Sequence, residues 1–450
     1  MLAPITPFAL DSATELYLGF FGRTPDTAGL SYWATQIANG MSPLDVAQGF
    51  AQSGEFTAVY GHLSASQQIN QVYQDILART PDGSGANYWT ARLEAGTPIG
   101  EIVWELVHAA FLQQGSTDGL LVQGKVAAGQ LLAAAVTTNT PATTWSTVSG
   151  FGEINVASAL AATLNKSLAQ GTVINTTLGE WQIGAAHFQD AWAAGYAGKG
   201  VVIAQIDTGV DLNNAALTHN LSAASWNFVS NSANVQDDNG HGTAIASEMI
   251  AYPGVGGSGM VGGAYDAQLM VLKAMDANGN GTKANLIAAI NYAVNHGANV
   301  INLSLGGAAP DTAELAALNN AATHGVIVCM AAGNSGALSP QYPATYAQSV
   351  STTIAVGASI QNLNGTTVAF SASSNQAGST DPYNYVNAPG VHVLAYGLNG
   401  VLEPWSGTSF ATPLVTAEVA VILSAYAGLS ATQVVQAVVN TTVSLIGIPT

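Results

Sequence analysis

The sequence predicts an α/β fold with a mostly parallel sheet, preceded by a small all-α domain. A helical unit occurs twice within residues 1–112, and from residue 179 onward short apolar segments rich in β-branched residues alternate with helical patterns. Residues 113–178, between them, are rich in alanine, threonine and serine and form a predicted helical linker region. The sequence therefore predicts three parts, 1–112, 113–178 and 179–450.

The N-terminal repeat is visible as "YLGFFGRTPDTAGLSYWATQIANG" at 17–40 and "YQDILARTPDGSGANYWTARLEAG" at 73–96, with an offset of 56 residues. Each copy predicts a helix, an "RTPD" turn and a second helix carrying "YW". Proline and glycine end the first helix, and Asp26 or Asp82 can cap the second. The arginines of the chain all lie in this part, where stacking on tryptophan is their expected role.

The doubled "RTPD…YW" pattern over residues 1–112 resembles a repeat of bacterial cell-surface, S-layer-associated and type I secreted proteins that has no assigned activity. The resemblance implies a role in surface attachment, export or assembly, and it supplies no catalytic residue.

The charge balance excludes some partners. Asp and Glu number 26 against 8 Lys and Arg, so the formal charge is −18, which disfavours binding to nucleic acid or anionic lipid. No apolar run reaches the roughly 18 residues of a membrane span. The N-terminus lacks the pattern of a secretory signal, so the expected location outside a bacterial cell or on its surface requires non-classical or type I-like export. The glycine–aspartate repeats of type I export are absent from the sequence.

The predicted strands of the second domain are "GVVIAQIDTGV", "AQLMVLKAM", "GANVINLSLGG" and "GVIVCMAAGN". Each run ends in a glycine or polar cluster and is separated from the next by a helical pattern. This alternation predicts a parallel sheet covered on both faces, with functional residues at the carboxyl ends of the strands. Cys329 lies within the fourth run and is predicted to be a buried apolar residue. The alternative, a thiolate nucleophile, has no charged neighbour to support it.

Three residues of this domain are candidates for nucleophilic catalysis. Asp207 follows the apolar run Val201–Ile206, and His241 lies at a predicted helix start in "NGHGTAIAS". Ser409 lies in "WSGTSFATP", where a helix begins and Pro413 is expected in the first turn. Each has a structural explanation when taken alone: a strand-end aspartate, a structural histidine and a helix N-cap. Their order along the chain, Asp, His, Ser, is that of subtilisin.

Residues 180–440 resemble a subtilisin-family serine protease. "IAQIDTGVD", "NGHGTAIAS" and "SGTSFATPLV" match the three catalytic motifs of the family, and "NLSLGG" and "AAGNSG" match its substrate-binding strand and oxyanion segment. The resemblance implies a subtilisin-like three-layer fold and a serine endopeptidase that acts on proteins or peptides through an acyl-enzyme intermediate. It assigns Asp207 as the orienting carboxylate, His241 as the general base and Ser409 as the nucleophile.

The same resemblance implies the remaining site residues. The side-chain amide of Asn334 and the backbone N–H of Ser409 would stabilise the oxyanion. A substrate strand would pair with Ser304, Leu305 and Gly306, and the pocket for the residue before the cleaved bond would be lined by Ala331, Ala332 and Gly333. Since this lining contains no acid, an apolar substrate residue is expected there.

The sequence leaves alternatives open for the function of the chain and for the carboxylate partner of His241. Ala244 and Leu414 stand where the family usually has histidines, which leaves a non-catalytic surface or S-layer assembly protein as the alternative function. An esterase is less well supported, because the serine lies in "GTSFA" and not in G-x-S-x-G. Asp237 and Asp238 are closer in sequence to His241 than Asp207 is, but they are predicted to lie in a solvated loop.

Two further patterns do not predict sites. "GVGGSG" at 254–259 lacks the flanking strand and helix of a dinucleotide site and is predicted to be a glycine-rich loop. "DANGNG" at 276–281 begins like a calcium loop, but position twelve is Ile287 and not glutamate, so a polar turn is expected. The chemistry requires no cofactor. The resemblance allows structural calcium, for which the sequence assigns no ligands.

Overall fold

The computed structural model describes residues 7–21, 27–77, 79–112, 118, 122, 145–164, 168, 180–254, 259–307, 309–361, 368–426, 428–443 and 445. The chain divides into two compact units. The helical unit comprises Met1–Asn139 with Gly428–Ser430, and the α/β unit comprises Thr140–Ala427 with Ala431–Thr450. The predicted boundaries 1–112, 113–178 and 179–450 stay predictions.

The helical unit contains the two predicted copies. Its helices are α1 Pro7–Phe21, α2 Thr27–Ala38, α3 Pro43–Ala51, α4 Gly54–Tyr60, α5 Ala65–Leu77, α6 Gly83–Glu94 and α7 Ile99–Leu112. The starts of α2 and α6 are separated by the repeat offset. Leu16, Phe20, Ile69 and Ile76 are fully buried, so both copies contribute to one core.

The turn of the second copy forms as its sequence predicts. The carboxylate of Asp82 accepts the backbone N–H of Gly85 at 2.7 Å and caps α6. The guanidinium of Arg92 lies 5.3 Å from the ring centroid of Trp89, which confirms stacking on tryptophan. Arg79 instead lies 5.5 Å from the ring centroid of Tyr73. Asp26 and the other "RTPD" residues of the first copy lie outside the described residues.

The α/β unit is built on a mostly parallel sheet. Its strands are β1 Val202–Asp207, β2 Trp226–Asn227, β3 Gln268–Lys273, β4 Val300–Leu303, β5 Ile327–Ala331, β6 Thr353–Gln361, β7 Val368–Phe370 and β8 Tyr385–Pro389. In the described residues their order is β2-β3-β1-β4-β5-β6-β7, with β8 beside β6. Only the β6–β7 pair is antiparallel among these neighbours. Strands β9 Val391–Tyr396 and β10 Leu402–Ser406 form a separate antiparallel pair.

Helices cover both faces of the sheet, which confirms the predicted three-layer arrangement. They are α8 Val156–Leu164, α9 Trp181–Ala185, α10 Phe188–Ala193, α11 Ala215–Thr218, α12 His241–Ile250, α13 Lys283–Asn295, α14 Thr312–Thr323, α15 Thr408–Ala425 and α16 Ala431–Asn440. Ala204 and Ile206 of β1 share a core cluster with α13 and α14. Because side chains alternate along a strand, Gln205 points to the other face, where its amide donates to the carbonyl of Gly242 in α12 at 2.7 Å.

Helix α15 runs through the core and packs against β4, β5, β6 and α12. Among the described residues it is the one helix long and apolar enough to cross a membrane by length and composition, but it is mostly buried within the protein. These are the properties of a core helix. The position of Pro413 was predicted wrongly: because α15 begins at Thr408, the proline lies beyond the first turn.

Part of the predicted linker region belongs to the fold of the α/β unit. The backbone N–H of Glu153 donates to the carbonyl of Val443 and that of Ile154 donates to the carbonyl of Asn387, both at 2.9 Å. Helix α8 contacts α15 and α16. The core of this unit therefore includes chain that precedes residue 179.

Candidate active site

The imidazole of His241 contacts the carboxylate of Asp207 at the carboxyl end of β1. Asp207 is the last residue of β1 and His241 is the first residue of α12, and the distance from Nδ1 of His241 to Oδ1 of Asp207 is 2.8 Å. The Asp207 side chain is fully buried, and the same oxygen accepts the backbone N–H of Thr208 at 2.7 Å. A neutral imidazole that donates from Nδ1 leaves Nε2 as a proton acceptor.

The surroundings of His241 favour its protonated form. Burial alone would lower the pKa of the ring, but the charge and hydrogen bond of Asp207 outweigh it and raise the pKa above its usual 6.5. The ring of Phe410 packs edge-on against the imidazole with centroids 5.5 Å apart, and Trp405 packs against Phe410. These aromatic contacts and the bond to Asp207 fix the orientation of the imidazole.

Asp237 does not lie in a solvated loop, and that prediction was wrong. Its carboxylate is buried and accepts the backbone N–H groups of Asn239, Gly240 and Thr243 at 2.9, 3.1 and 2.9 Å, and the Thr243 hydroxyl at 2.6 Å. Burial opposes the negative charge, but these four donors outweigh it, so the pKa of Asp237 is lowered. The N–H groups at a helix start need such an acceptor, so Asp237 fixes the beginning of α12.

Asp238 makes a different contact. Its half-exposed carboxylate lies 2.7 Å from Nζ of Lys273, a buried lysine at the end of β3. Lys273 is the register partner of Asp207 and also donates to the carbonyl of Thr208. The lysine therefore joins the turn after Asp207 to the loop that precedes His241.

Ser409 lies in the first turn of α15 beside the segment that follows β4. Its hydroxyl donates to the carbonyl of Ser304 at 3.2 Å, and the Ser304 hydroxyl donates to the carbonyl of Ser409 at 2.6 Å. The carbonyl of Ser409 accepts no bond within the helix, because Pro413, four residues on, has no N–H to donate, and it can therefore accept from Ser304. In the described residues the Ser409 hydroxyl makes no hydrogen bond to His241. Hydrogen bonds between a serine nucleophile and its base are in general often long or poorly aligned without substrate, and they tighten when substrate binds.

Asn334 is held by the residue before Ser409. Its Oδ1 accepts the backbone N–H of Thr408 at 2.7 Å and the Thr408 hydroxyl at 3.0 Å. Its Nδ2 lies beside Gly407, where an added Cβ would be only 3.1 Å away. Gly407 has a φ of +144°, which favours glycine. The amide donors of Asn334 therefore lie beside the turn that leads into Ser409.

The two predicted substrate segments follow neighbouring strands. Ser304, Leu305 and Gly306 come after β4, whereas Ala331, Ala332 and Gly333 end β5 and continue beyond it. The side chain of Gln341 lies between the two segments: a Cβ on Gly306 would be 2.0 Å from its Nε2, and a Cβ on Gly333 would be 3.0 Å from its Cδ. The slot between them therefore contains an amide that no local sequence pattern indicated.

A cavity of about 600 Å³ adjoins this slot. His241 and Thr208 lie at one side, residues 304–307 at another, and the polar turn 278–282 forms a further wall. The "DANGNG" segment is thus a turn, as predicted, and it contributes to the cavity. Residues 255–258 of "GVGGSG" lie outside the described residues.

Sequence reasoning missed Lys273, Thr408 and Gln341, and it predicted the environment of Asp237 wrongly. A charged residue at the end of an apolar strand needs partners, so Lys273 could have been found as Asp207 was. Ala244 and Leu414, the departures from the family pattern, are fully buried. Apolar side chains at these positions therefore serve the core.

Cys329 is buried, as predicted, and burial raises the pKa of its thiol to about 12. Among the described residues no group of three or more His, Cys, Asp and Glu side chains could hold a metal ion.

Both parts of the chain match known protein families. The model of the Subtilase family matches residues 198–448, and the Domain of unknown function (DUF4214) matches twice, at 11–60 and 47–110. Subtilisin DY of Bacillus licheniformis is 35% identical over 242 residues, covering 54% of this chain and 83% of that protein. Subtilisin Savinase of Lederbergia lenta is 34% identical over 268 residues, covering 59% and 91%. A cold adapted subtilisin-like serine proteinase of known structure is 28% identical with a TM-score of 0.46, covering 53% and 81%.

The match to the Subtilase model and the identity to the two subtilisins define a subtilisin-like serine endopeptidase. The chain belongs to the Subtilase family, and its N-terminal part carries two copies of a domain of unknown function.

Proposed function

We propose that the chain hydrolyses peptide bonds with Asp207, His241 and Ser409 as a catalytic triad. The contact of 2.8 Å between His241 Nδ1 and Asp207 Oδ1 is the observation that carries this proposal. His241 Nε2 takes the proton of the Ser409 hydroxyl as the oxygen attacks the substrate carbonyl, and it then gives that proton to the leaving amine. Water activated by the same nitrogen hydrolyses the acyl-enzyme.

Asn334 and the backbone N–H of Ser409 are the proposed donors to the oxyanion. The contacts of Thr408 support this role. Its backbone N–H and its hydroxyl both donate to Oδ1 of Asn334, so the two N–H groups on Nδ2 are left to donate to the oxyanion. Donors that are fixed before the reaction stabilise developing charge without further reorganisation.

The substrate strand is proposed to pair with Ser304, Leu305 and Gly306. The residue before the cleaved bond would enter the slot near Ala331, Ala332 and Gly333. Since Gln341 occupies much of this slot, the expectation of an apolar residue narrows to a small one, such as alanine. Protein and peptide substrates with small residues at that position are the proposed targets.

The helical unit is proposed to serve attachment, export or assembly at a bacterial surface, with the peptidase acting outside the cell. The support is the resemblance of its repeats to those of surface and type I secreted proteins. The proposed chemistry uses no cofactor. A structural calcium ion stays a prediction without assigned ligands.

Labelling with a fluorophosphonate tests the triad directly. Wild-type protein should be labelled on Ser409 and should hydrolyse casein, whereas Ser409→Ala should do neither. Ser349→Ala, at an exposed serine outside the site, is the matched control for serine labelling. A folded wild-type protein that is neither labelled nor active would favour the non-catalytic assembly protein.

A further inference from the structure

The cavity beside His241 contains an ion pair that no part of the proposed chemistry uses. Nζ of Lys283 donates to Oε2 of Glu314 at 2.5 Å, and both residues line the cavity together with Ser304 and Gly306. Glu314 is fully buried, whereas the Lys283 side chain is 42% exposed. The lysine therefore lies between a buried carboxylate and the open space of the cavity.

Lys283 does not stabilise the helix on which it lies. It is the first residue of α13, and the positive end of a helix dipole disfavours a cation at this position. Glu314 is in the first turn of α14, where the dipole favours a carboxylate, and Asp311 already caps that helix. Helix capping therefore does not explain why a lysine lies at position 283.

In the described part of the chain, the partly exposed ammonium group of Lys283 retains hydrogen-bonding capacity towards the cavity. An ammonium group has three donors, of which Glu314 takes one. Oε1 of Glu314 is buried and has no hydrogen-bond partner there. A large apolar side chain that enters this cavity would remove water from the ammonium group and return no hydrogen bond, which carries a free-energy cost.

We propose that this cavity receives a carboxamide side chain, glutamine or asparagine, from the acyl side of the substrate, upstream of the residue in the Gln341 slot. This proposal rests on the proposed function, because the same substrate strand must lie along Ser304–Gly306. The amide oxygen accepts from the ammonium group of Lys283, which Glu314 holds at the wall of the cavity. A carboxylate is less suitable, since it would add a second negative charge beside Glu314.

Peptides that differ only by glutamine or leucine at the second, third or fourth position before the cleaved bond test this specificity. At one of these positions wild-type kcat/KM should be about tenfold or more higher for glutamine. This is less than the roughly 10⁴-fold rejection by an enclosed polar site, because Lys283 is partly exposed. The double substitution Lys283→Met with Glu314→Leu replaces the ion pair with apolar groups, a change that folds commonly tolerate. It should abolish or invert the ratio.

Within each variant, the ratio of kcat/KM for the glutamine peptide to that for the leucine peptide cancels any loss of activity that affects both peptides equally. Lys199→Met removes one exposed positive charge outside the cavity and should leave the ratio unchanged. Equal ratios in wild-type and double-variant protein, or a wild-type preference for leucine at all three positions, would overturn the proposal.

Binding of the same peptides to Ser409→Ala protein separates this inference from the proposed function. The ratio of dissociation constants should again favour glutamine about tenfold in the single variant, and it should be lost when the Lys283 and Glu314 substitutions are added. If wild-type protein cleaves no peptide, the proposed function fails, while the binding ratio still decides the specificity of the cavity.

Discussion

Two regions of the α/β unit bury carboxyl groups with opposite results. At the carboxyl edge of the sheet, Asp237 is charged because backbone N–H groups and a hydroxyl surround it, and its pKa is lowered although burial opposes this. Within the core, burial raises the pKa of Glu153 to about 8, and the pKa values of Glu248 and Glu418 lie well above their usual range. Neither oxygen of Glu418 has a hydrogen-bond partner among the described residues.

The difference shows that the number of hydrogen-bond donors around a buried carboxyl group, and not the extent of its burial, decides its charge in this fold. Helix starts and strand ends meet at the sheet edge, so unsatisfied N–H groups are available there. In the core those groups are already paired within helices and strands. The edge can therefore maintain charged side chains, whereas the core holds the carboxyl groups of Glu153, Glu248 and Glu418 neutral.

The strongest test of this comparison removes the charge of Asp207. Asp207→Asn should lower kcat on the order of 10⁴-fold, because the imidazole loses the carboxylate that orients it and stabilises its cation. A subtilisin, a member of this same family, supplies that magnitude. Steady-state kinetics on a peptide substrate provide the measurement.

Asp238→Asn is the matched control, since Asp238 is half exposed and contacts Lys273 and not His241. It should change kcat less than about tenfold. In wild-type protein the acid limb of kcat/KM should have a pKa above 6.5, since Asp207 raises the pKa of His241. Comparable losses in both variants would contradict the assignment of Asp207.

A smaller effect is expected from Asn334, the proposed oxyanion donor. Asn334→Ala should lower kcat about 10²- to 10³-fold with little change in KM, because the amide acts on charge that develops in the transition state. This range is again known from a subtilisin. Single-turnover kinetics measure the acylation step.

Thr408→Val provides the control for Asn334, because it removes the hydroxyl that donates to Oδ1 and keeps the amide in place. Its effect on kcat should be smaller than that of Asn334→Ala. A loss of binding without a loss of kcat in Asn334→Ala would exclude the proposed role.

Gln341 lies between Gly306 and Gly333 at the same edge and should affect specificity more than rate. Gln341→Gly should raise the kcat/KM ratio for phenylalanine over alanine, before the cleaved bond, about tenfold or more, since the slot between Gly306 and Gly333 becomes open. Peptide pairs give the ratio directly. Gln341→Asn keeps an amide but shortens it by one methylene, so it should give an intermediate ratio. An unchanged ratio in the glycine variant would show that the slot does not bind this residue.

Sequence patterns predicted some features of the sheet edge and the core, whereas other features depend on tertiary contacts. Parallel strands place their carboxyl ends together, so the alternation of strands and helices predicted a parallel sheet with functional residues at that edge. The pairing of Asp207 with His241 was predicted from the resemblance to the subtilisin family. The burial of Asp237 was missed because "DDNG" is polar throughout, and its carboxylate turns inward only where α12 begins. Gln341 follows β5 in an irregular segment, so its proximity to Gly306 depends on the tertiary path. Glu153 comes from chain that composition assigned to a linker.

The core carboxyls should make stability depend on pH in a defined direction. Because their pKa values are higher in the folded than in the unfolded chain, the folded protein holds protons that the unfolded chain releases. The contribution of these carboxyls to the free energy of unfolding is therefore largest below the usual carboxyl pKa of about 4.3, and it is lost as pH rises towards the folded-state values, about 8 for Glu153.

Glu418→Gln should reduce this dependence, because an amide of nearly the same shape cannot ionise. Melting temperatures of wild-type and variant protein should be similar near pH 5 and diverge towards pH 9, with the variant several degrees more stable. Glu403→Gln, at an exposed position of β10, should follow the wild-type curve. Parallel curves for Glu418→Gln and wild-type protein would mean that Glu418 does not titrate across this range. The contrast between a charged edge and a neutral core would then rest on Glu153 and Glu248 alone.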